Sequence, residues 1–313
     1  MTDAPVLRAE RLSTGYPGVR ISDGLNLEIR PGSFTALVGA NGSGKSTLLS
    51  TLARILPAHG GRVLLDDVDV HRMNRKAFAR TVGMLPQHPS APEGITVAEL
   101  AARGRYPHRG LFGGFGADDA AAVDEALAVT GMTEMADEPI GELSGGQRQR
   151  VWIAMALAQQ PRILMLDEPT SFLDLTHQLE VLELLRASQL ESGTTVVTVL
   201  HDLTLAARFA DTVVVMNEGE LVAEGTPVEV LTPEILHEAF GLDAIVIDDP
   251  LTGTPLVVPR PGAVRASVSP EPEPASTDAD AGASQDAGTT DPDTADALRQ
   301  SQQTMGPAAH HER

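Results

Sequence analysis

Four apolar runs punctuate this chain: "FTALVG", "ILMLDE", "TTVVTVL" and "TVVVM". Each is unbroken, short and mostly rich in β-branched residues, which predicts strands buried on both faces. Amphipathic stretches between them read as helices, and that alternation predicts an α/β fold with a mainly parallel sheet covered on both sides. The early segments "VLRAERL" and "LNLEIR" instead alternate apolar with polar positions. They predict partly exposed antiparallel strands, a β subdomain beside the main sheet. Between Gln87 and Glu142 the strand signal fades, and "TVAELAARG" and "ADDAAAVDEALAVTGM" read as helices joined by the glycine-rich "RGLFGGFGA". A helical insertion at about 88–142, within one ordered domain over 1–260, is therefore expected.

Composition changes that picture at the far end. From about Pro261 to Arg313 the chain is Pro, Ala, Ser, Thr, Asp and Glu with few large apolar side chains. Such a segment buries too little to offset its ordering entropy, so 261–313 is expected to be a disordered acidic tail. The rest draws on 313 residues at 42% hydrophobic content, enough for a sizeable core. The formal charge of −20 argues against counterion-release binding to nucleic acid. There is no cysteine, which removes disulfides, thiolate metal sites and cysteine nucleophiles. The N-terminus lacks a basic n-region and an apolar h-region, and no apolar run approaches the roughly 20 residues of a membrane span. The chain is expected neither to be secreted nor to cross a membrane by itself.

The chemistry begins at "GANGSGKST", Gly39 to Thr47. A strand precedes it and the helical "KSTLLSTLARIL" follows, which is the context a phosphate-binding loop requires. Backbone N–H groups of Gly39, Asn41, Gly42, Ser43, Gly44, Lys45, Ser46 and Thr47 wrap the phosphates, Lys45 neutralises them, and the Ser46 hydroxyl is a Mg²⁺ ligand. Lys45 and Lys76 are the only lysines in a chain that otherwise uses arginine. A compact ammonium folds over phosphates where a guanidinium fork is too broad. A glycine-rich turn without ligand is the plain alternative.

A second piece is "RILMLDEPTSFLD". Its strand delivers Asp167 and Glu168 to the carboxyl end of the sheet, where open α/β folds bind ligands. Asp167 suits the Mg²⁺ shell and Glu168 suits a general base for water. The stretch "ELSGGQRQR" then poses a question, since Ser144, Gly145 and Gly146 open a helix and form another anion site. One nucleotide chain needs a reason for two.

In this order, "GANGSGKST", Gln87 in "MLPQH", "LSGGQRQR", "ILMLDEP", "SFLD" and "VLHDL" resemble the nucleotide-binding subunits of ATP-binding cassette (ABC) transporters over roughly residues 5–259. The resemblance implies a P-loop ATPase core, the cofactors ATP and Mg²⁺, and two such domains packed head to tail. Ser144, Gly145, Gly146 and Gln147 of one domain would then close over the γ-phosphate held by the other, which answers the question. A two-fold interface forms both composite sites at once. By the same resemblance, Tyr16 stacks on adenine, Gln87 touches Mg²⁺ and the attacking water, His201 contacts the γ-phosphate, and Asp174 communicates across the dimer. A loop tyrosine by chance and a helix-capping histidine are the bland readings of Tyr16 and His201. The family often has a small residue where this chain has Phe172.

"RGRYPHRG" and the closing "GTPVEVLTPEILHEAFGLDAIVIDDPLTGTPLVVP" resemble importers of ferric siderophores, haem and vitamin B12. This implies a paired ATPase subunit, transmembrane permease subunits, an extracytoplasmic substrate-binding protein, and a place on the cytoplasmic face of the cell membrane. Tyr106, Pro107 and His108 are then docking residues for the permease, or simply a helix-ending turn. A soluble ABC clamp of translation or DNA repair is the alternative, and such proteins usually carry two cassettes or long basic insertions. A non-hydrolysing regulatory subunit fits poorly with Glu168 and His201.

Overall fold

A computed structural model describes residues 4–110 and 114–264. Its centre is a sheet of six strands in the order β10-β9-β3-β8-β7-β6. These are β3 (Phe34–Gly39), β6 (Val82–Leu85), β7 (Ile163–Leu166), β8 (Thr195–Val199), β9 (Thr212–Asn217) and β10 (Glu220–Gly225). The first five run parallel, and β10 adds antiparallel to β9 at the edge. The four apolar runs of the sequence are β3, β7, β8 and β9.

Successive residues of these strands point to opposite faces, so each strand feeds two cores. On one side Phe34, Ala36, Val38, Leu164, Leu166, Val213 and Val215 pack among the helices. On the other, Leu37, Ile163, Met165, Val197, Val199, Val214 and Met216 pack on a second sheet. That sheet is antiparallel, ordered β2-β1-β4-β5, from β1 (Leu7–Tyr16), β2 (Val19–Ile29), β4 (Gly60–Leu65) and β5 (Val68–Asp69). Helix α1 (Lys45–Leu52) lies in this second core through Leu48, Leu49 and Leu52. At the β1–β2 turn Pro17 fixes φ, Gly18 takes φ 82°, and Tyr16 pairs with Val19.

Strands β6 and β7 are direct neighbours, yet a long crossover separates them in sequence. It holds α3 (Val97–Arg103), α4 (Ala117–Val129) and α5 (Gly145–Ala158), which share Leu100, Ala101, Val123, Leu127, Val151 and Ile153 in one core. Helix α5 therefore packs with the inserted helices although it begins beyond 142. A short helix α2 (Arg75–Thr81) precedes β6, and α6 (Leu175–Ser192) and α7 (Leu203–Phe209) follow β7 and β8.

The closing segment forms α8 (Pro227–Val230), α9 (Pro233–Phe240) and a hairpin of β11 (Leu242–Asp248) with β12 (Pro255–Val264). The ordered domain was expected to end at about Arg260, and β12 spans that point. Strand β12 runs on past Arg260 through Val264, where Leu242 pairs with it, and an edge strand tolerates Pro255, Pro259 and Pro261. The remainder of the expected acidic tail, from 265, lies outside the described residues.

Candidate active site

At the end of β3, Gly39 has φ 154°, and a Cβ there would meet the Met216 carbonyl oxygen of β9 at 2.1 Å. Glycine alone lets the strand turn so close to its neighbour. Gly42, at φ 81°, has open space where a Cβ would go. Gly44, at φ 99°, sits at the N-cap of α1 with no side-chain cap, which leaves the first-turn N–H groups without one. The loop is thus a cradle of backbone donors at the positive end of a helix, suited to phosphate.

Lys45 is buried, and its Nζ donates to the carbonyls of Gly39 (3.0 Å) and Ala40 (2.9 Å) and to Ser43 Oγ (3.2 Å). Burial pulls its pKa below the usual lysine value, against the upward pull of Glu168 and Asp167. Ser46 Oγ donates to Asp167 Oδ1 at 2.8 Å. Burial raises the Asp167 carboxyl above the ordinary range, more than the Ser46 hydrogen bond lowers it. A hydroxyl beside a buried carboxylate is a hard-oxygen pair, the donor type Mg²⁺ takes, and a cation between them would remove the desolvation cost that Asp167 now carries.

Glu168 follows at φ 51°, a left-handed backbone that costs a non-glycine residue of order 1–3 kcal/mol. Its carboxylate accepts from Gln87 Nε2 (2.5 Å), from Ser171 Oγ (2.8 Å), and from His201 Nε2 (2.7 Å). Burial pushes its pKa up, but Ser171, His201 and Gln87 together outweigh burial and hold it below the ordinary glutamate value. Glu168 is therefore ionised, and its three partners come from three different loops. A pocket of about 270 Å³ joins Tyr16, Ile21, Asn41, Gly42, Gly44, Lys45, Ser46, Thr47, Glu168 and His201.

Ser144, Gly145, Gly146 and Gln147, the second anion site expected from the sequence, do not line that pocket. Ser144 caps α5 and forms a capping box with Gln147: Gln147 N donates to Ser144 Oγ (3.2 Å) and Ser144 N to Gln147 Oε1 (2.9 Å). Gly146 is buried against α6, where its Cβ would meet the His177 ring at 2.7 Å. Asp174 caps α6 and accepts from both His177 N (3.0 Å) and His177 Nδ1 (2.6 Å). These hydrogen bonds from His177 keep the Asp174 pKa low.

The family described as ABC transporter matches residues 22–171. The ferric enterobactin transport ATP-binding protein FepC of Escherichia coli (strain K12) is 49% identical over 254 residues, 81% of this chain and 93% of that protein. The iron(3+)-hydroxamate import ATP-binding protein FhuC of Bacillus subtilis (strain 168) is 48% identical over 250 residues, 80% of this chain and 93% of that protein. The chain belongs to the ABC transporter family. Among solved structures, the dimeric MJ0796, a bacterial ABC transporter cassette, superposes with TM-score 0.62 at 27% identity, covering 70% of this chain and 98% of that one. The ABC fold expected from the sequence, a P-loop ATPase core with an antiparallel sheet and inserted helices, is the fold observed.

In this ABC cassette the single chain gathers Tyr16, the loop residues, Asp167, Glu168, Gln87 and His201 around one site. It does not bring Ser144, Gly145, Gly146, Gln147 or Asp174 into that pocket. Ser171 is a site residue that sequence reasoning missed. Its backbone N–H closes a turn onto the Glu168 carbonyl at 3.1 Å, which brings its hydroxyl back onto the carboxylate. A serine three positions past the glutamate, across a proline, was the available signal.

The segment "GRYPH" divides. Tyr106 is exposed and lines a groove of about 730 Å³ between α3 and α4, with Ile95, Ala98, Arg103, Arg109, Phe115 and Val123. The Arg109 guanidinium lies 5.2 Å from the Tyr106 ring and 5.0 Å from the Phe115 ring. Pro107 and His108 are tied inward: the Pro107 carbonyl accepts from Arg80 Nε at 2.8 Å, and His108 Nε2 lies 2.8 Å from the Gln159 carbonyl. Arg105, also missed, is buried and fastens Asp119 of α4 (2.9 Å) and the Ala158 carbonyl of α5 (2.8 Å).

Proposed function

We propose that this protein is the ATP-hydrolysing subunit of an ABC importer, that its cargo is a ferric siderophore, and that it works as a pair of copies. The observation that carries the enzymatic part is the convergence on Glu168: an ionised carboxylate next to a phosphate cradle, gripped by Gln87, Ser171 and His201. The cargo follows from relatives nearly half identical to this chain that serve ferric enterobactin and iron(3+)-hydroxamate.

When bound, MgATP supplies the phosphoanhydride to be cleaved and the divalent charge that neutralises it. The loop from Gly39 to Thr47 binds phosphate through backbone N–H groups, and Lys45 adds its ammonium. Ser46 and Asp167 would offer the metal oxygens, and Gln87, held on Glu168, would add its amide oxygen. Tyr16, half exposed at the pocket rim, offers a ring face to the adenine. Glu168 accepts a proton from water, and His201 and Gln87 fix the carboxylate's direction. Catalysis by positioning and charge is the mode expected for phosphoryl transfer.

Ser144 to Gln147 form an anion site outside the chain's own pocket, which supports its use in a second copy, with Asp174 on the same face. The groove with Tyr106 and Arg109 is apolar, ringed by charge, and suits a short helix of a permease. None of the described helices is long and apolar enough to cross a membrane, so a permease would hold the protein at the cytoplasmic face. The permease would in turn receive cargo from an extracytoplasmic binding protein.

Deleting the gene and measuring uptake of labelled ferric siderophore, haem and cobalamin tests the cargo. Loss of siderophore uptake alone, restored by the intact gene and not by a Lys45→Ala copy, is the expected result. Unchanged siderophore uptake overturns the assignment.

A further inference from the structure

The closing hairpin has one packed face and one open face. Side chains alternate along a strand, and Ala244 and Val246 of β11 and Val257 of β12 turn inward to pack with Leu231 and Leu236. The intervening positions turn outward. There Ile245 pairs with Val258 and Ile247 with Leu256, a block of four aliphatic side chains two strands wide. Ile245 is 40% exposed and Ile247 46%, while Leu256 and Val258 are half-buried. Beyond one end of the block, Asp243 and Arg260 form an exposed ion pair on the same face, with Arg260 Nε 3.3 Å from Asp243 Oδ1. Single apolar side chains on a surface are ordinary, but four in register mark a surface that is covered.

This face is its own complement. Two such hairpins laid face to face about a two-fold axis parallel to the strands place β11 of each copy over β12 of the other. Ile245 then meets the partner's Val258, Ile247 meets the partner's Leu256, and at the rim each Asp243 meets the partner's Arg260. One acid and one base, side by side on a single chain, become two ion pairs between copies. An axis across the strands instead carries the charged end of each copy to the aliphatic end of the other and leaves the charges unmatched. The hairpin also holds its shape without a partner: Asp249 Oδ1 accepts from Leu251 N at 2.8 Å, and Asp249 N donates to the Thr254 carbonyl at 2.8 Å, which fixes the tip.

We infer that the outer face of the β11–β12 hairpin is a contact between two copies of this chain, closed by Ile245, Ile247, Leu256 and Val258 and registered by Asp243 and Arg260. It uses neither the nucleotide pocket nor the signature turn, so it forms without MgATP and stands independently of the composite sites proposed above. Four side chains fall short of the roughly 800 Å² per partner of a standard interface, so the contact is a weak tether rather than a stable dimer by itself.

The full chain has no cysteine, so Ile247→Cys introduces a single thiol. The test treats that protein, without nucleotide, with a bis-maleimide spanning about 10 Å, the separation of stacked sheets. Physiological ionic strength screens the formal charge of −20 that each copy carries. Val68→Cys, exposed on the antiparallel sheet, gives the yield from random collision. The expected result is a linked pair from Ile247→Cys at about tenfold the Val68→Cys yield, lost when Ile245→Glu is added. Asp243→Arg and Arg260→Asp should each lower the yield, and the two together should restore it. Melting temperature and MgATP affinity should stay at the parent's values, since these side chains are exposed and lie outside the pocket. Equal yields from the two thiols overturn the contact, as does linkage in cells to a different polypeptide with no linked pair. A double charge reversal that stays as low as the single ones overturns the two-fold arrangement. Each of these results leaves the MgATP-dependent pair standing.

Discussion

Gly146→Ala isolates the contact between the signature helix and α6. The added Cβ would stand 2.7 Å from Cδ2 of His177. To reach an ordinary carbon contact of about 3.5 Å, the ring must retreat by roughly 0.8 Å. If it stays in place, overpacking costs about 1–3 kcal/mol. If it swings out, it gives up the Nδ1 hydrogen bond to Asp174 and leaves the cap of α6 to the backbone N–H of His177. Against either route, alanine gains up to about 1 kcal/mol over glycine in helix propensity, less so in a first turn. The single variant should thus be destabilised modestly, by up to about 2 kcal/mol. Removing the ring by His177→Ala removes the collision, and Gly146→Ala in that background should stabilise. Urea unfolding of the two single variants, the double variant and the parent measures the coupling, expected at about 1–3 kcal/mol. Steady-state phosphate release should follow the same cycle, falling in Gly146→Ala and partly recovering in the double variant. Additivity within about 0.3 kcal/mol would refute the packing argument.

Other consequences concern the base and the groove. Glu168→Gln should lower kcat by about 10²- to 10⁴-fold while nucleotide titration shows MgATP binding retained, since the cradle and Lys45 are untouched; a loss under fivefold would remove Glu168 from the role of base. Ser171→Ala deletes one of the donors that depress the Glu168 pKa. A depressed carboxylate stays ionised to lower pH and loses its contribution as pH falls through the folded pKa, so the acidic limb of the kcat profile should move to higher pH in this variant. An unmoved limb would show that Glu168 does not set it. Arg109→Ala, which removes the cation lying near the Tyr106 and Phe115 rings, should cut import by the assembled transporter and leave MgATP affinity of the isolated subunit unchanged; normal import would place the docking surface elsewhere.

Much of this architecture is local and so was legible along the chain. Short apolar runs, mostly rich in β-branched residues, favour strands buried on both sides, and Phe34–Gly39, Ile163–Leu166, Thr195–Val199 and Thr212–Asn217 are those strands. A phosphate loop is a contiguous stretch whose glycines set its backbone, so the cradle at Gly39 to Thr47 could be read directly. What brings Gln87, Ser171 and His201 onto one carboxylate is the parallel order β6-β7-β8, which sets three strand-end loops side by side. Spacing in sequence carries no record of that order. The end of the strand beyond Arg260 was hidden because the composition changes at Pro261, and only the partner β11 decides the matter. Phe172 and Gly146 show the same division. Their identities were plain from the start, but the exposure of one ring and the lack of room for a Cβ under a histidine depend on how elements pack, in the second case α5 against α6.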